Sequence, residues 1–387
     1  VQCALRASLQ VRADQQSVQA LEGRRISAGA LFNSNPVVSL TGGSHTVGGD
    51  RGNAWSASLS QELEVAGQVG TRRGAVDAEL DAQRGRVMLS ERDVAVAAWT
   101  AYFEAIAARE ELRLSEKLGA LARALVTTAR ARSEKGLIAP IEADVAEAAA
   151  TRLNQTLLAS ERRAAHANAV LASMMGGDPS SGTLLVDGEL EPLPFENFAK
   201  AKASMTPANR PEVRIAEADR KGLELRAETF RRSRIPNPSV SVFAQNDAFE
   251  GRVIGLGLAL PLPISGWSHT FGGEVAETTA LARRAAIDAE RMKRQVRLEM
   301  VTALQAYESR RHEVEAFSSE QIDRAEQSLQ ALGEEVQAGR LALRDAIVTQ
   351  QTLVELLRSY LEARQALCLA SVELLRAVGV PLERGTP

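Results

Sequence analysis

Bulky side chains are scarce in this 387-residue chain, and aromatics make up only 4% of it. Alanine, by contrast, supplies about one residue in six. A composition this rich in helix formers and poor in large core residues argues for long helices over a compact globular core. Lysine is also rare: Lys117, Lys135, Lys200, Lys202, Lys221 and Lys293 are all there are among 46 basic residues. With a formal net charge of −3, the chain has no electrostatic footprint for nucleic acid. Two cysteines, Cys3 and Cys368, make neither a disulfide framework nor a cysteine zinc site. No run approaches 18 apolar residues, so no transmembrane helix is expected. No signal peptide is expected either. Cys3 is expected in a helix and not as a lipidated terminus, because Gln2 is not the small residue that lipid attachment requires.

What the chain does have is itself, twice. Asn35-Pro36-Val37-Val38-Ser39 returns as Asn237-Pro238-Ser239-Val240-Ser241, an offset of 202. Gly136, followed by Glu142, returns as Gly339 followed by Asp345, an offset of 203. Gly176 returns as Gly379, again 203 residues on. Three landmarks in register predict a tandem duplication. The first copy covers residues 1–177 and the second 207–387. The linker is 178–206, where Pro179, Gly182, Gly188, Pro192 and Pro194 break helical periodicity.

Each copy reads in one order. A helix (4–28, then 211–232) ends shortly before the Asn-Pro step, where proline disfavours helix in the residue before it. Two extended segments follow, 37–46 with 54–63, and 239–246 with 253–262. The turn-rich stretches 48–53 and 247–252 join them, so the hairpins span 37–63 and 239–262. Trp55, Ala57, Leu59 and Gln61 alternate with Ser56, Ser58 and Ser60, and Val240, Val242 and Ala244 with Ser239, Ser241 and Phe243. A period of two with one dry and one wet face predicts strands.

Long helices come next. Residues 68–133 contain no proline, and at about 1.5 Å per residue that helix reaches roughly 100 Å. Ile322, Ala325, Leu329, Leu332 and Val336 step by threes and fours, a coiled-coil seam. Leu343, Ile347, Val354, Leu357 and Leu361 continue the frame on a returning helix, with Gln350 between. Each copy therefore predicts an antiparallel helical hairpin with its tip at Gly136 or Gly339, and Pro140 suits the first turn of the first returning helix.

Two strand hairpins so far apart in sequence make no soluble sheet, because their edges stay open. About 9–11 residues is, however, the length of a tilted transmembrane strand, and several copies with four strands each would close a barrel. The repeated order of helix, Asn-Pro, strand pair, long helix, glycine tip and returning helix resembles the TolC family of outer-membrane efflux proteins. The likeness covers essentially the whole chain and is sharpest at Leu31-Phe32-Asn33-Ser34-Asn35-Pro36, at Arg132-Ser133-Glu134-Lys135-Gly136-Leu137-Ile138, and at Gly339-Arg340-Leu341 with Asp345-Ala346-Ile347. Arg24-Arg25-Ile26-Ser27-Ala28-Gly29 is similar to the heavy-metal (cobalt-zinc-cadmium) branch. The resemblance implies a mainly α protein with membrane β structure. It is expected to be a homotrimer whose twelve-stranded β-barrel sits in outer-membrane lipid and continues as a long α-helical barrel into the periplasm. It also implies a periplasmic membrane-fusion adaptor and an inner-membrane transporter of RND type as partners, with heavy-metal cations as cargo.

The same resemblance assigns the sites. Gly136, Leu137, Gly339, Arg340 and Leu341 are expected to dock the adaptor, and Asp345 with Glu142 to form a periplasmic gate. Arg340 and Arg344 are expected to hold Asp345, and Val348 stands where the family often has a second acid. No cofactor, metal site or catalytic set is expected. His45, His166, His269 and His312 are scattered, and no phosphate-cradling loop or nucleophile elbow is present. Trp55 and Trp267 lie near the strands and suit either a membrane interface or ordinary packing. The rival readings are a periplasmic adaptor or coiled-coil scaffold, which would have one hairpin and no duplicated strand pairs, and an enzyme, which would need a convergent polar motif.

Overall fold

The computed structural model describes residues 1–47, 50–178, 186–194, 206–247, 251–262 and 270–379. Gly48, Gly49, Pro179, Gly182, Trp267, His269 and the side chain of His45 lie outside the described residues. So do the rest of the linker (180–181, 183–185 and 195–205) and the turn residues 248–250. The elements run α1 Gln2–Ala7, α2 Leu9–Ala28, β1 Val37–Val47, β2 Asp50–Glu62, α3 Gln68–Glu134, α4 Pro140–Met174, a 3₁₀ turn Pro207–Asn209, and α5 Pro211–Arg232. They continue β3 Ser239–Asp247, β4 Gly251–Ala259, α6 Gly272–Glu315, α7 Ser319–Gln337 and α8 Leu343–Val378. None of the described helices is long and apolar enough to cross a membrane.

Several expected boundaries move. The first helix is broken at Ser8, whose extended ψ of 116° splits α1 from α2. Residues 50–53, expected in a turn, pair with β1 as the start of β2. α3 is one unbroken helix of 67 residues, but its counterpart is interrupted between Glu315 and Ser319. Ser318 there is extended (ψ 129°), and Phe317 turns its ring against Tyr360, with centroids 5.4 Å apart.

The chain divides into two compact units, each drawing on both halves of the sequence. One comprises Arg12–Leu89 and Ala208–Arg294 and holds the sheet. Its four strands are antiparallel in the order β1-β2-β3-β4, and among the described residues the outer edges of β1 and β4 are unpaired. Register sorts the side chains cleanly. Leu40 faces Ala57, which faces Ala244, which faces Ile254, while Leu59 faces Val242, which faces Leu256. The alternate rows are small and polar: Ser39, Ser58 and Phe243, then Thr41, Ser56 and Gln245, with Thr41 Oγ1 2.6 Å from Ser56 Oγ. Phe243 fits that face because its partner is Gly255, where an added Cβ would come within 2.6 Å of the ring.

The strands pass into helix through amide chemistry. Gln68, almost fully buried, donates through Nε2 to Asn237 Oδ1 (2.9 Å), and Asn237 Nδ2 donates to Glu62 Oε1 (2.8 Å). The second Asn-Pro step therefore clamps the end of β2 to the start of α3. Below it α2, α3, α5 and α6 pack on alanines such as Ala75, Ala78 and Ala82. Ion pairs tie neighbouring helices: Glu79 bridges Arg24 and Arg226, Arg25 meets Asp77, and Lys293 meets Glu217.

The second unit comprises Val1–Val11, Ser90–Pro207 and Gln295–Pro387. Its largest core runs between α3, α4, α7 and α8: Leu118, Leu125, Ala129, Ala143, Ala146, the whole Ile322–Val336 seam, Leu343, Ala346, Val354 and Leu357. The α8 seam passes through Ala346, not the expected Ile347, which is only half-buried and packs at its margin. The described part of the linker, 186–194, is pinned to this bundle. Arg364 donates to Leu190 O (2.7 Å), Ser371 Oγ accepts from Leu193 N (3.0 Å), and Tyr102 donates to Asp187 O (3.1 Å).

Gln350 sits inside the seam at 4% exposure, and among the described residues its Nε2 has no hydrogen-bond partner. A buried orphan donor costs roughly 1–3 kcal/mol. Gln350→Leu is expected to stabilise the protein by about that amount. Leu329→Ala, a cavity in the same core, is expected to cost about 2–5 kcal/mol. Denaturant midpoints followed by far-UV circular dichroism check both directions.

Candidate functional site at the two helical tips

The turn after α3 and the turn after α7 are built alike. Gly136 and Gly339 are left-handed, with φ of 70° and 75°. Gly136 N donates to Ser133 O (2.9 Å) and Leu137 N to Arg132 O (2.9 Å). Gly339 N donates to Val336 O (3.1 Å) and Arg340 N to Glu335 O (3.0 Å). This pair of bonds, from the glycine and from the residue after it, is the Schellman ending that consumes the last helical carbonyls. Glycine is required because a Cβ disfavours φ near +70°. Space is not the reason, since nothing lies within 4 Å of a Cβ placed on Gly136.

The returning helices also start alike. Ala139 and Ala342 are extended N-caps with no capping side chain, and Glu142 and Asp345 each occupy the first turn. A carboxylate there complements the partial positive charge of the helix start. Asp345 is exposed and Glu142 half-buried. Among the described residues neither side chain forms a hydrogen bond or ion pair. Arg344 is likewise exposed and unpaired.

The side chains around these matched backbones differ. Arg340 does not hold Asp345 as expected; its guanidinium makes a two-pronged pair with Glu335, at 2.7 Å on each oxygen. That pairing holds the Glu335 carboxyl below the usual range and raises Arg340. At the first tip the position matching Glu335 is Arg132, which reaches across to donate to Val336 O (3.2 Å). Leu137 is exposed, while Leu341 is half-buried against the bundle core. Arg132 and Glu335 were not among the sequence candidates, although the 203-residue offset places them opposite one another.

Among the described residues the other polar candidates do not converge. His312 pairs with Glu315 (3.0 Å) and His166 is exposed. Among the described residues no three His, Cys, Asp or Glu side chains group as a metal site. Burial pushes the Cys368 thiol up to about 12, which leaves it inert.

Comparison with solved structures places this arrangement. The outer-membrane channel OprN matches 99% of this chain and 89% of its own, with a TM-score of 0.79 at 15% identity. The outer membrane protein VceC of Vibrio cholerae matches 99% and 95%, with a TM-score of 0.76 at 16% identity. The fold is that of the TolC-family outer-membrane channels. At these identities the likeness is one of fold. No family model matches the chain. By sequence it is 27% identical over 260 residues to protein CyaE of Bordetella pertussis, covering 63% of this chain and 54% of that protein. The chain thus spans about half the length of that curated relative.

The Glu335 shift fixes a pH dependence. A carboxyl held below its unfolded value contributes stability above that value and loses it as pH falls through the folded one. The second tip is therefore expected to loosen in acid below the ordinary carboxylate range. The protection factor of the Arg340 amide, corrected for the intrinsic exchange rate at each pH, should fall there in the wild type, and Glu335→Gln should show the lower protection already at neutral pH.

Proposed function

We propose that the chain is the outer-membrane exit duct of a tripartite efflux pump, a passive channel and not an enzyme. One observation carries this reading beyond the fold. A whole face of the sheet is apolar and exposed: Val38, Leu40, Trp55, Leu59, Val240, Val242, Ile254, Leu256 and Leu258, with Ile254 and Leu256 at 82% and 80% exposure. A patch of that extent marks a contact surface. Lipid suits it, with the serine-rich face turned to a lumen. Strands of 9 to 13 residues have the length to span a bilayer.

The open edges of β1 and β4 supply the next step. Unpaired backbone is not tolerated in hydrocarbon, so closure requires more chains. Three copies with four strands each close a twelve-stranded barrel, and the helices of the three chains continue it as a helical barrel into the periplasm. We read the chain as two copies of one unit, 1–177 and 207–387, joined by 178–206. The matched left-handed glycines support that division.

In this reading the tips meet a periplasmic membrane-fusion adaptor through Gly136, Leu137, Gly339, Arg340 and Leu341. An inner-membrane transporter of RND type supplies the energy. Asp345, unpaired and exposed, forms a ring of carboxylates with its copies, and Glu142 stands at the equivalent place. Like charges in a ring attract cations, which favours the heavy-metal cargo suggested by residues 24–29. In the structure Arg24 and Arg25 of that segment are engaged by Glu79 and Asp77, so packing accounts for them as well.

Detergent-solubilised protein is expected to be trimeric and to form channels in a planar bilayer. A monomer with full native helicity would sink the barrel. Asp345→Ala should raise single-channel conductance and weaken block by divalent cations from the periplasmic side; if neither changes, Asp345 is not in the gate. Gly136→Trp and Gly339→Trp should abolish export with the trimer intact, measured as sensitivity of the host to cobalt, zinc and cadmium.

A further inference from the structure

We infer that the two tips are chemically distinct docking surfaces: the first prefers an apolar helical segment of a partner protein edged with basic residues, and the second, with Arg344 on its stripe, disfavours that charge pattern. This rests on the reading of the tips as docking ends.

The first observation is Leu137. In the Schellman ending the residue after the glycine normally packs back on the residue five before it. Here that residue is Arg132, and its guanidinium is committed to Val336 O. Leu137 is left 64% exposed. Ile141 and Val145 follow on the first two turns of α4, one helical turn apart and 65% and 51% exposed. Among the described residues these three large apolar side chains at the end of a hairpin are not part of the bundle core.

Charge then selects the occupant. Glu142 and Asp144 stand beside this stripe, and among the described residues neither carboxylate has a partner. At the turn itself Glu134 and Lys135 offset one another. The stripe is thus apolar with an acidic margin. A helix presenting apolar residues at three- and four-residue spacing, with Lys or Arg beside them, is complementary to it.

The second tip is the built-in contrast. Under the 203-residue offset Leu137, Ile141 and Val145 correspond to Arg340, Arg344 and Val348. Arg340 is neutralised by Glu335, but Arg344 is an unpaired cation where the first tip has Ile141. Asp345 and Glu334 lie nearby, yet on the stripe itself a basic-edged helix meets a like charge. One backbone ending therefore presents two different faces.

Two synthetic helical-hairpin peptides test this, identical on a leucine face and edged with either lysine or glutamate. Each is fluorescently labelled, carries a photo-crosslinker and is titrated into the detergent-purified full chain. The lysine-edged peptide should bind about tenfold more tightly at low salt, an advantage that shrinks as salt screens it. Ile141→Arg should cost about tenfold of that affinity, and Arg344→Ile should add a second site per chain. Equal binding of the two peptides, or indifference to Ile141→Arg with cross-links still on residues 132–145, overturns the assigned chemistry but not the docking reading. No binding by either peptide, or cross-links at neither tip, overturns the docking reading and this inference with it. Loss of trimer on Leu137→Ser would make the stripe a contact between copies and overturn the inference alone.

Discussion

Backbone and side-chain demands of the four-stranded sheet cannot both be met by one chain in water. Its register puts Leu40, Leu59, Val242, Ile254 and Leu256 on one open face, and its order leaves β1 and β4 with unpaired hydrogen-bonding edges. In the proposed channel, lipid would satisfy the face and further copies the edges. The amide clamp of Gln68, Asn237 and Glu62 matters for the same reason. It links the end of β2 to the start of α3, where the sheet gives way to the helices.

The scarcity of aromatics is explained by the way the helices pack. Cores built on Ala75, Ala78 and Ala82, or on Ala129, Ala143, Ala146 and Ala346, let helices approach closely without large side chains between them. Specificity then falls to polar contacts at the margins, including the Glu79 bridge between Arg24 and Arg226. Where an aromatic cluster does occur, at Trp99, Tyr102 and Phe103, it packs beside the described linker, with Leu190 in the same core.

Repetition made the tips easy to find and also concealed how they differ. A glycine 203 residues from another glycine is visible in the sequence, and each proves to close the same Schellman turn. The partners are another matter. Arg340 could pair with Asp345, five residues on, or with Glu335, five residues back, and only the fold of the turn selects Glu335. Arg132 reaching Val336 joins residues 204 apart, and no local pattern announces it.

The sequence by itself determined the elements, because hydrophobic period, proline and glycine act over a few residues. The alternation in 54–62 and 239–244, the seam from Ile322 to Val336, and the left-handed turns at Gly136 and Gly339 are all local in this sense. The break near Phe317, the shift of the α8 seam from Ile347 to Ala346, and the burial of an unpartnered Gln350 were not legible. Each depends on which helix lies opposite, and two positions one residue apart on a heptad look equivalent until a neighbour is present. Tertiary structure also decided that each compact unit draws on both halves of the chain. The pairing of β2 with β3 brings together segments nearly two hundred residues apart, and long-range strand pairing leaves no trace in local periodicity.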